Sequence, residues 1–419
     1  MPPTGSENDS PYHDLFHPPD YRPRALHTVL VLSYLLGKVS PLALTPAWLA
    51  LAAIAAWPWG HLRPWAAVLS GAMVLVDGVG LALLPRLGRS FGPVTPPLLA
   101  LTVLRTLLTF AAGLLWNSWP VLLGATVVQL AIAAISLYAT WIEPFSIRVT
   151  RADLQSPKLH GGAPLRLLHI SDLHVEAITP REMELLDKVE QCDPDLVVLT
   201  GDYLNLSSVR DAAAHAAVRD LLRALCERSR GPVVAITGSP PVDLADVVPR
   251  IFEGLPITWL LDKVADLELS GHAIRLIGLR CTRERSRDAP RLRRLLAGCP
   301  DDRFSLLLYH SPDLMPEAAE LGVDLYLCGH THGGQLRLPL FGALITSSDF
   351  GKRYEMGRYE QDGTTLYVSR GLGMEGLGAP RARFLSPPEI ILWTLSPPEA
   401  SWAAHRPQGP QLTLAPGDR

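Results

Sequence analysis

Apolar residues run almost without interruption through the first third of the chain, whereas from about residue 147 they come in short blocks separated by polar stretches. Residues 1 to about 145 are dense in Leu, Ala, Val and Trp with few charges, a pattern suited to membrane. Residues 119–142 give 24 positions with no charge, more than the ~20 that a bilayer core requires. Trp and Tyr flank that segment as interfacial anchors do. Segments 64–84 and 97–116 read as two further spans, each carrying one ionisable residue, Asp77 and Arg105. With 85–96 as the turn between them, Asp77 lies about 7 residues from it and Arg105 about 9, so at ~1.5 Å per residue their depths nearly coincide. The two are expected to pair rather than snorkel to opposite surfaces. Residues 27–59 are interrupted by Lys38, Pro41 and Pro46, which allows one span from Leu42 or two short ones. Three to five helices are expected in all. The first 24 residues, with several prolines and acids and no apolar core, read as a disordered lead rather than a secretory signal.

The later blocks at 165–170, 196–199, 233–236, 305–308 and 325–327 have the length and flanks of buried strands. Helix-like stretches at 181–191, 211–228 and 290–297 alternate with them, which predicts an α/β domain over about 147–400. From about Ser401 the chain is rich in Pro and Gly and is expected to be loose.

Basic residues near the spans set an orientation. Arg86 and Arg89 occupy one loop, the Asn117-Ser118 turn has none, and Arg148, Arg151, Lys158 and Arg166 follow the last span. Positive charge marks the cytoplasmic side. A multi-pass protein of the cell membrane with its α/β domain in the cytosol is therefore expected, Arg63 on the opposite side being a minor contrary signal.

Composition adds one membrane module and one ordinary globular domain: 419 residues, 48% hydrophobic, formal net charge −3. No nucleic-acid partner is indicated, since no aromatic-interleaved strand motif or paired zinc finger accompanies the charge. The local exception is a basic stretch, Arg280, Arg283, Arg285, Arg287, Arg291, Arg293 and Arg294, broken by Glu284 and Asp288. A solvated helix face is its ordinary explanation, and contact with anionic headgroups or substrate phosphates the sharper one. Cys192, Cys226, Cys281, Cys299 and Cys328 show no Cys-x-x-Cys spacing and read as reduced core residues. Cys328 lies near enough to His330 for oxidation there to matter.

The chemistry collects where the apolar blocks end. Asp172 and His174 follow the first block, Gly201-Asp202 the second, His310 the fourth, and Gly329-His330-Thr331-His332-Gly333-Gly334-Gln335 the fifth. Side chains at i and i+2 of an extended backbone point the same way, so each pair is expected to reach one ion or two adjacent ions. Carboxylates and imidazoles gathered at strand ends are where an open α/β sheet builds a site. Their oxygen and nitrogen donors suit manganese, iron or zinc. Singly, each residue has a plain alternative as a helix cap or turn former.

Taken together, Asp-x-His, Gly-Asp, His and Gly-His-Thr-His resemble the calcineurin-like metallophosphoesterase superfamily. Ser369-Arg370-Gly371-Leu372-Gly373, Pro380-Arg381 and Pro387-Pro388-Glu389-Ile390 look like the ending of its membrane-anchored bacterial branch. That resemblance implies a four-layer αββα sandwich and two divalent ions, Mn favoured over Fe or Zn. Asp172, His174 and His332 would hold the first, His310 and His330 the second, and Asp202 would bridge them; Asp202, His330 and His332 would carry catalysis. Such ions, about 4 Å apart, generate a hydroxide for in-line attack on phosphorus.

One family motif is altered. Where Gly-Asn-His-Asp is expected, the chain reads Gly238-Ser239-Pro240-Pro241-Val242-Asp243, so serine replaces an asparagine ligand and proline a histidine. Loss of a positioned acid typically costs about 10²–10⁴-fold in rate. The expected function is hydrolysis of a phosphodiester or pyrophosphate, in a phosphorylated small molecule or a lipid-linked substrate at the bilayer. The alternative is a catalytically weakened or inactive metal-binding scaffold or sensor. A transporter would need more polar residues inside the spans. Asn205 and Asp243 are candidates to fill the place left at Pro240.

Overall fold

The computed structural model describes residues 25–160, 163–378 and 380–398. The expected lead at 1–24 and tail at 401–419 lie outside the described residues. Helices α1 (Ala25–Gly37), α2 (Thr45–Ala56), α3 (Arg63–Arg86), α4 (Thr95–Leu115) and α5 (Trp119–Leu137) precede the first strand. Among the described residues, three stretches are long and apolar enough to cross a membrane: Pro41–Arg86, Thr95–Leu115 and Trp119–Phe145. Helix α1 ends at Gly37 and, at 13 residues, falls short of the ~20 that a crossing needs. Gly60, at φ 50°, bends the first of the three stretches between α2 and α3.

Asp77 and Arg105 meet between α3 and α4. Arg105 donates from Nε to Asp77 Oδ2 at 2.7 Å and from Nη2 to Oδ1 at 2.9 Å. Its Nη1 donates to the backbone and side-chain oxygens of Gln129 on α5, at 2.8 and 2.7 Å. Counting charges alone missed Gln129. A guanidinium whose donors are filled in this way can be buried among apolar helices without an unmet charge.

The α/β part is built from strands β1 (Arg148–Gln155), β2 (Leu165–Ile170), β3 (Leu196–Leu199), β4 (Val233–Ala235) and β5 (Ile257–Trp259), then β6 (Lys263–Leu269), β7 (His272–Gly278), β8 (Phe304–Leu308) and β9 (Leu325–Cys328). A small hairpin, β10 (Arg337–Leu338) and β11 (Gly342–Ala343), precedes β12 (Gly357–Gln361), β13 (Thr364–Val368) and β14 (Glu389–Ser396). One sheet has the order β1-β14-β2-β3-β4-β5 and the other β12-β13-β9-β8-β7-β6. Period-two alternation divides the apolar residues. Leu165 and Leu167 of β2 face Leu306, Leu308 and Leu327 of the second sheet in the central core. Leu168 and Ile170 turn outward to α6 (Pro180–Cys192) and α7 (Ala212–Arg228). On the far side, Leu307 and Tyr326 pack with Ala289, Leu292 and Met315. The layers are thus helix, sheet, sheet, helix.

A short helix, α8 (Val248–Phe252), precedes α9 (Arg285–Leu296) and α10 (Met315–Glu320). Helix α9 begins five residues before the expected start at 290, and Pro290 lies inside it. Asp288 explains the early start: it accepts from the backbone N and hydroxyl of Thr282, both at 2.8 Å, and anchors the first turn to the preceding loop. The basic stretch is largely neutralised on this helix. Arg285 pairs with Glu317, Arg287 with Glu284, Arg291 with Asp288 and Arg293 with Glu320. A solvated face therefore accounts for most of it. Cys328 is fully buried, and burial pushes its thiol well above the usual range, so it behaves as a core residue.

The helical and α/β parts are joined by more than the chain. A π-helical turn, Tyr138–Ile142, continues α5, and the carbonyl of Ala139 accepts the backbone N–H of Arg383 at 2.8 Å. Glu143 accepts the backbone N–H groups of Leu385 and Ser386 at 3.1 and 2.6 Å.

Candidate metal centre

The strand register levels the C-terminal ends. Ile170 pairs with Leu199, Leu199 with Ala235, and in the second sheet Gly278 with Leu308 and Leu308 with Leu327. Every following loop therefore starts from one rim, which is how an α/β sheet gathers a site. Close packing of those loops needs glycine: a Cβ on Gly329 would run into Asp172 Oδ2 and Ser171 Oγ, and one on Gly238 into Asp202 Oδ1.

Asp172, His174 and His332 form one buried group and Asp202, His310 and His330 a second, with ligand atoms in each group within 4.8 Å of one another. In the first, His174 Nε2 and His332 Nε2 face each other at 3.0 Å, and Asp172 Oδ1 lies 3.7 Å from His332 Nε2. Asp202 Oδ2 stands between the groups, 3.5 Å from His174 Nε2 and 3.2 Å from His310 Nε2. Its other oxygen accepts the Ser239 backbone N–H at 2.6 Å. The Ser239 hydroxyl lies 3.2 Å from His310 Nε2 and 3.4 Å from His330 Nδ1, within the second group.

His330 and His332 lie in different groups. The backbone that carries the ligands is not the extended one expected: Asp172, His174, Asp202, His330 and His332 all have left-handed φ, between 43° and 73°. Each such residue costs on the order of 1–3 kcal/mol and persists only where its surroundings hold it. Backbone bonds supply that hold: His330 N donates to Asp172 Oδ1 at 2.9 Å, and His174 N to Asp202 O at 3.0 Å.

The donor set fits cations. His174 Nδ1 faces Leu204 O at 3.2 Å, His310 Nδ1 faces Thr200 O at 2.7 Å, and His330 Nε2 faces Ser347 O at 3.3 Å. A carbonyl accepts only from a protonated ring nitrogen, so the other nitrogen of each ring points inward, where its lone pair, once free of a proton, can meet a cation, the arrangement that metal-binding histidines use. His332 is the exception, with Nδ1 3.4 Å from the Arg383 guanidinium. Burial, then neighbouring positive groups, hold His330 and His332 well below the usual imidazole range. Burial also opposes charge on His310, but Asp202 outweighs it and draws His310 up to about 9.

A sequence model of the calcineurin-like phosphoesterase family matches residues 165–334. The uncharacterized metallophosphoesterase YkuE of Bacillus subtilis is 31% identical over 266 residues, 62% of this chain and 88% of that protein. The chain belongs to the calcineurin-like phosphoesterase family. Two further relatives of this phosphoesterase carry more specific names. UDP-2,3-diacylglucosamine pyrophosphatase LpxG of Chlamydia muridarum is 26% identical, over 65% of this chain and 97% of its own. Phosphodiesterase YaeI of Escherichia coli is 28% identical, over 60% and 90%. The family uses a dinuclear divalent metal centre, and the two groups described above are this phosphoesterase's candidates to hold it.

Pro240 itself brings no side-chain donor to the second group, and neither suggested substitute supplies one. Asp243 accepts backbone N–H groups from Asp202, Tyr203 and Gly238 at 2.8, 3.0 and 2.6 Å, so it braces the Asp202 loop. Asn205 is occupied by Met374 O, Ser207 and Arg381. Arg283 is the cation that reaches the group, its Nη1 3.5 Å from His330 Nδ1 and its Nη2 donating to Ser347 O at 2.6 Å. It belonged to the basic stretch, but sequence gave no reason to separate it from its neighbours. Arg383 was missed as well. It is fully buried and donates to the carbonyls of Ser386, Arg370, Gly371 and Gly373. Burial pushes its guanidinium down to about 9, which keeps it charged at neutral pH.

Proposed function

We propose that this chain is a membrane-anchored, divalent-metal-dependent hydrolase of a phosphodiester or pyrophosphate bond in a lipid-linked substrate. The observation that carries this reading is the position of Asp202 Oδ2, one carboxylate oxygen within 3.5 Å of a histidine of each group. Asp172, His174 and His332 would hold one ion, and His310, His330 and Ser239 the other, with Asp202 shared. Manganese is the favoured metal, given two carboxylates among imidazoles. A bound pair of divalent cations would supply an activated water and neutralise phosphoryl charge. The chain's own residues then position and exclude. The carbonyls of Leu204, Thr200 and Ser347 fix the rings, Asp243 fixes the Asp202 loop, and Arg283 faces the second group as a fixed positive charge.

The lipid-linked substrate is supported by three apolar stretches ahead of the domain and by the name of the Chlamydia relative. A cytosolic domain is supported by Arg89, whose Nη1 donates to Trp141 O at 2.7 Å and so marks the basic loop as lying at the domain's end of α5. A metal-holding scaffold without turnover is the second reading, and Pro240 favours it. Purified full chain loaded with manganese should hydrolyse bis(p-nitrophenyl) phosphate, and Asp202→Asn should abolish this. Two bound ions with no turnover of that ester or of a nucleotide diphosphate would establish the scaffold.

A further inference from the structure

A cavity of about 610 Å³ opens between the membrane helices and the α/β domain. Gly80, Leu101 and Ile132 line it from α3, α4 and α5, and Leu336, Leu344 and Phe384 from two loops of the domain. Its size falls within the roughly 300–1,000 Å³ of pockets that enclose small ligands. The charged groups on its wall are all paired: Asp77 with Arg105, Arg337 with Glu355 and Arg381 with Glu176. Apart from Ser90, Ser136 and Thr140, the rest of the wall is apolar.

The two domain loops are those that support His332. Leu336 follows it by four residues, and Arg337 Nη1 donates back to Gly333 O at 2.7 Å. Phe384 follows Arg383, the guanidinium beside His332 Nδ1, and its own N–H donates to Gln335 O at 2.9 Å. The hairpin between Leu336 and Leu344 carries Leu340 and Phe341 at its tip, both exposed, next to helices that themselves expose leucine and valine. An apolar tip of this kind beside membrane spans suits hydrocarbon better than water.

We infer that this cavity seats an acyl tail of the substrate lipid, entering from the bilayer between the helices and the hairpin while the phosphoryl group lies at the metal centre. The inference rests on the phosphoesterase reading above and adds where the tail goes. A cavity continuous with membrane spans at one wall and with the His332 loops at the other joins the two environments such a lipid must occupy at once.

The test uses the full chain in vesicles of phosphatidylglycerol and phosphatidylethanolamine. Gly80→Leu and Ala100→Phe fill the cavity; a Cβ at Gly80 meets only Leu137 Cδ2, at 3.6 Å, so a side chain there is accommodated. Leu107→Phe, at an exposed position of α4, is the control. Two probes are p-nitrophenyl phosphodiesters whose second ester is methyl or hexadecyl. Wild type and the control should favour the long ester, and the filling variants should lower the ratio of the two kcat/KM values about tenfold, as excluding two methylenes would. An unchanged ratio overturns the seat. The third probe is phosphatidylglycerol with a diazirine at its tail. Crosslinks at Leu81 and Leu101 should vanish on filling, and crosslinks only at outward Leu75 and Leu107 overturn the inference. Labelling lost without a change in ester ratio identifies a resident bilayer lipid and also overturns it. If neither ester is cleaved, the phosphoesterase reading fails, and the labelling alone decides whether a tail sits there.

Discussion

The hydroxyl of Ser386 donates to the carbonyl of His332 at 2.7 Å, while the backbone N–H of Ser386 donates to Glu143, near the end of the last apolar stretch. Two hydrogen bonds thus connect the end of that stretch to a candidate metal ligand. Bonds to a charged acceptor contribute about 1.5–3 kcal/mol each, and a buried donor left without one costs on the same order. Glu143→Ala is expected to destabilise the folded chain by about 2–3 kcal/mol and to lower metal occupancy of the Asp172 group. Thermal unfolding in detergent and metal content per chain check this; loss of stability with full occupancy would separate His332 from the stretch.

The Asp77–Arg105–Gln129 contact predicts a different pattern. Breaking a buried ion pair by removing one partner typically costs about 3–5 kcal/mol, because the other charge is left unmatched. Asp77→Leu should therefore lower the unfolding temperature sharply. Asp77→Leu combined with Arg105→Leu should recover much of the loss, since the pair would be replaced by apolar groups. Equal losses in single and double variants would show that packing, and not the charge, sets the cost.

These contacts show what the chain discloses in one dimension. The strands near the site were legible because each is a short apolar block that ends in Asp, His or Gly, as in Leu196–Leu199 before Gly201-Asp202. The depth match of Asp77 and Arg105 was legible because helical rise is constant. The backbone conformation that carries His330 and His332 was not, because left-handed angles are held by contacts between distant loops that an i, i+2 argument on an extended chain does not contain. Arg383 and Glu143 were invisible for another reason: their partners lie 51 and 243 residues away in the chain, His332 and Ser386. Pro290 misled because a proline inside a helix reads as a boundary when the anchor, Asp288, makes its bonds by side chain.

Ser239 gives a gain-of-function prediction. Its hydroxyl stands near both His310 Nε2 and His330 Nδ1, but is shorter than the amide found there in the family motif. Ser239→Asn places a carbonyl oxygen closer to the second group. It should tighten binding of the second manganese ion by about 10–100-fold, the range that supporting changes at metal sites produce. Ser239→Ala should weaken it. Titration of the metal-free chain followed by manganese electron paramagnetic resonance reads both ions, and unchanged affinity in both variants would remove Ser239 from the site.

Arg283 tests whether the missing histidine has been replaced in kind. The left-handed φ of 63° at Arg283 and the bond from its Nη2 to Ser347 O turn the guanidinium toward His330. A fixed donor aimed at developing negative charge is typically worth about 10²–10³ in kcat. Arg283→Met keeps the length and removes the charge, so kcat for bis(p-nitrophenyl) phosphate should fall by about that factor while both manganese ions stay bound. Arg283→Lys should recover only part, because an ammonium cannot hold Ser347 O and a phosphoryl oxygen with the planar fork of arginine. Adding Pro240→His to Arg283→Met should then restore more activity than it adds to wild type, since the two cations would serve one position. Additive effects of the two changes would mean that Arg283 acts on His330 placement instead.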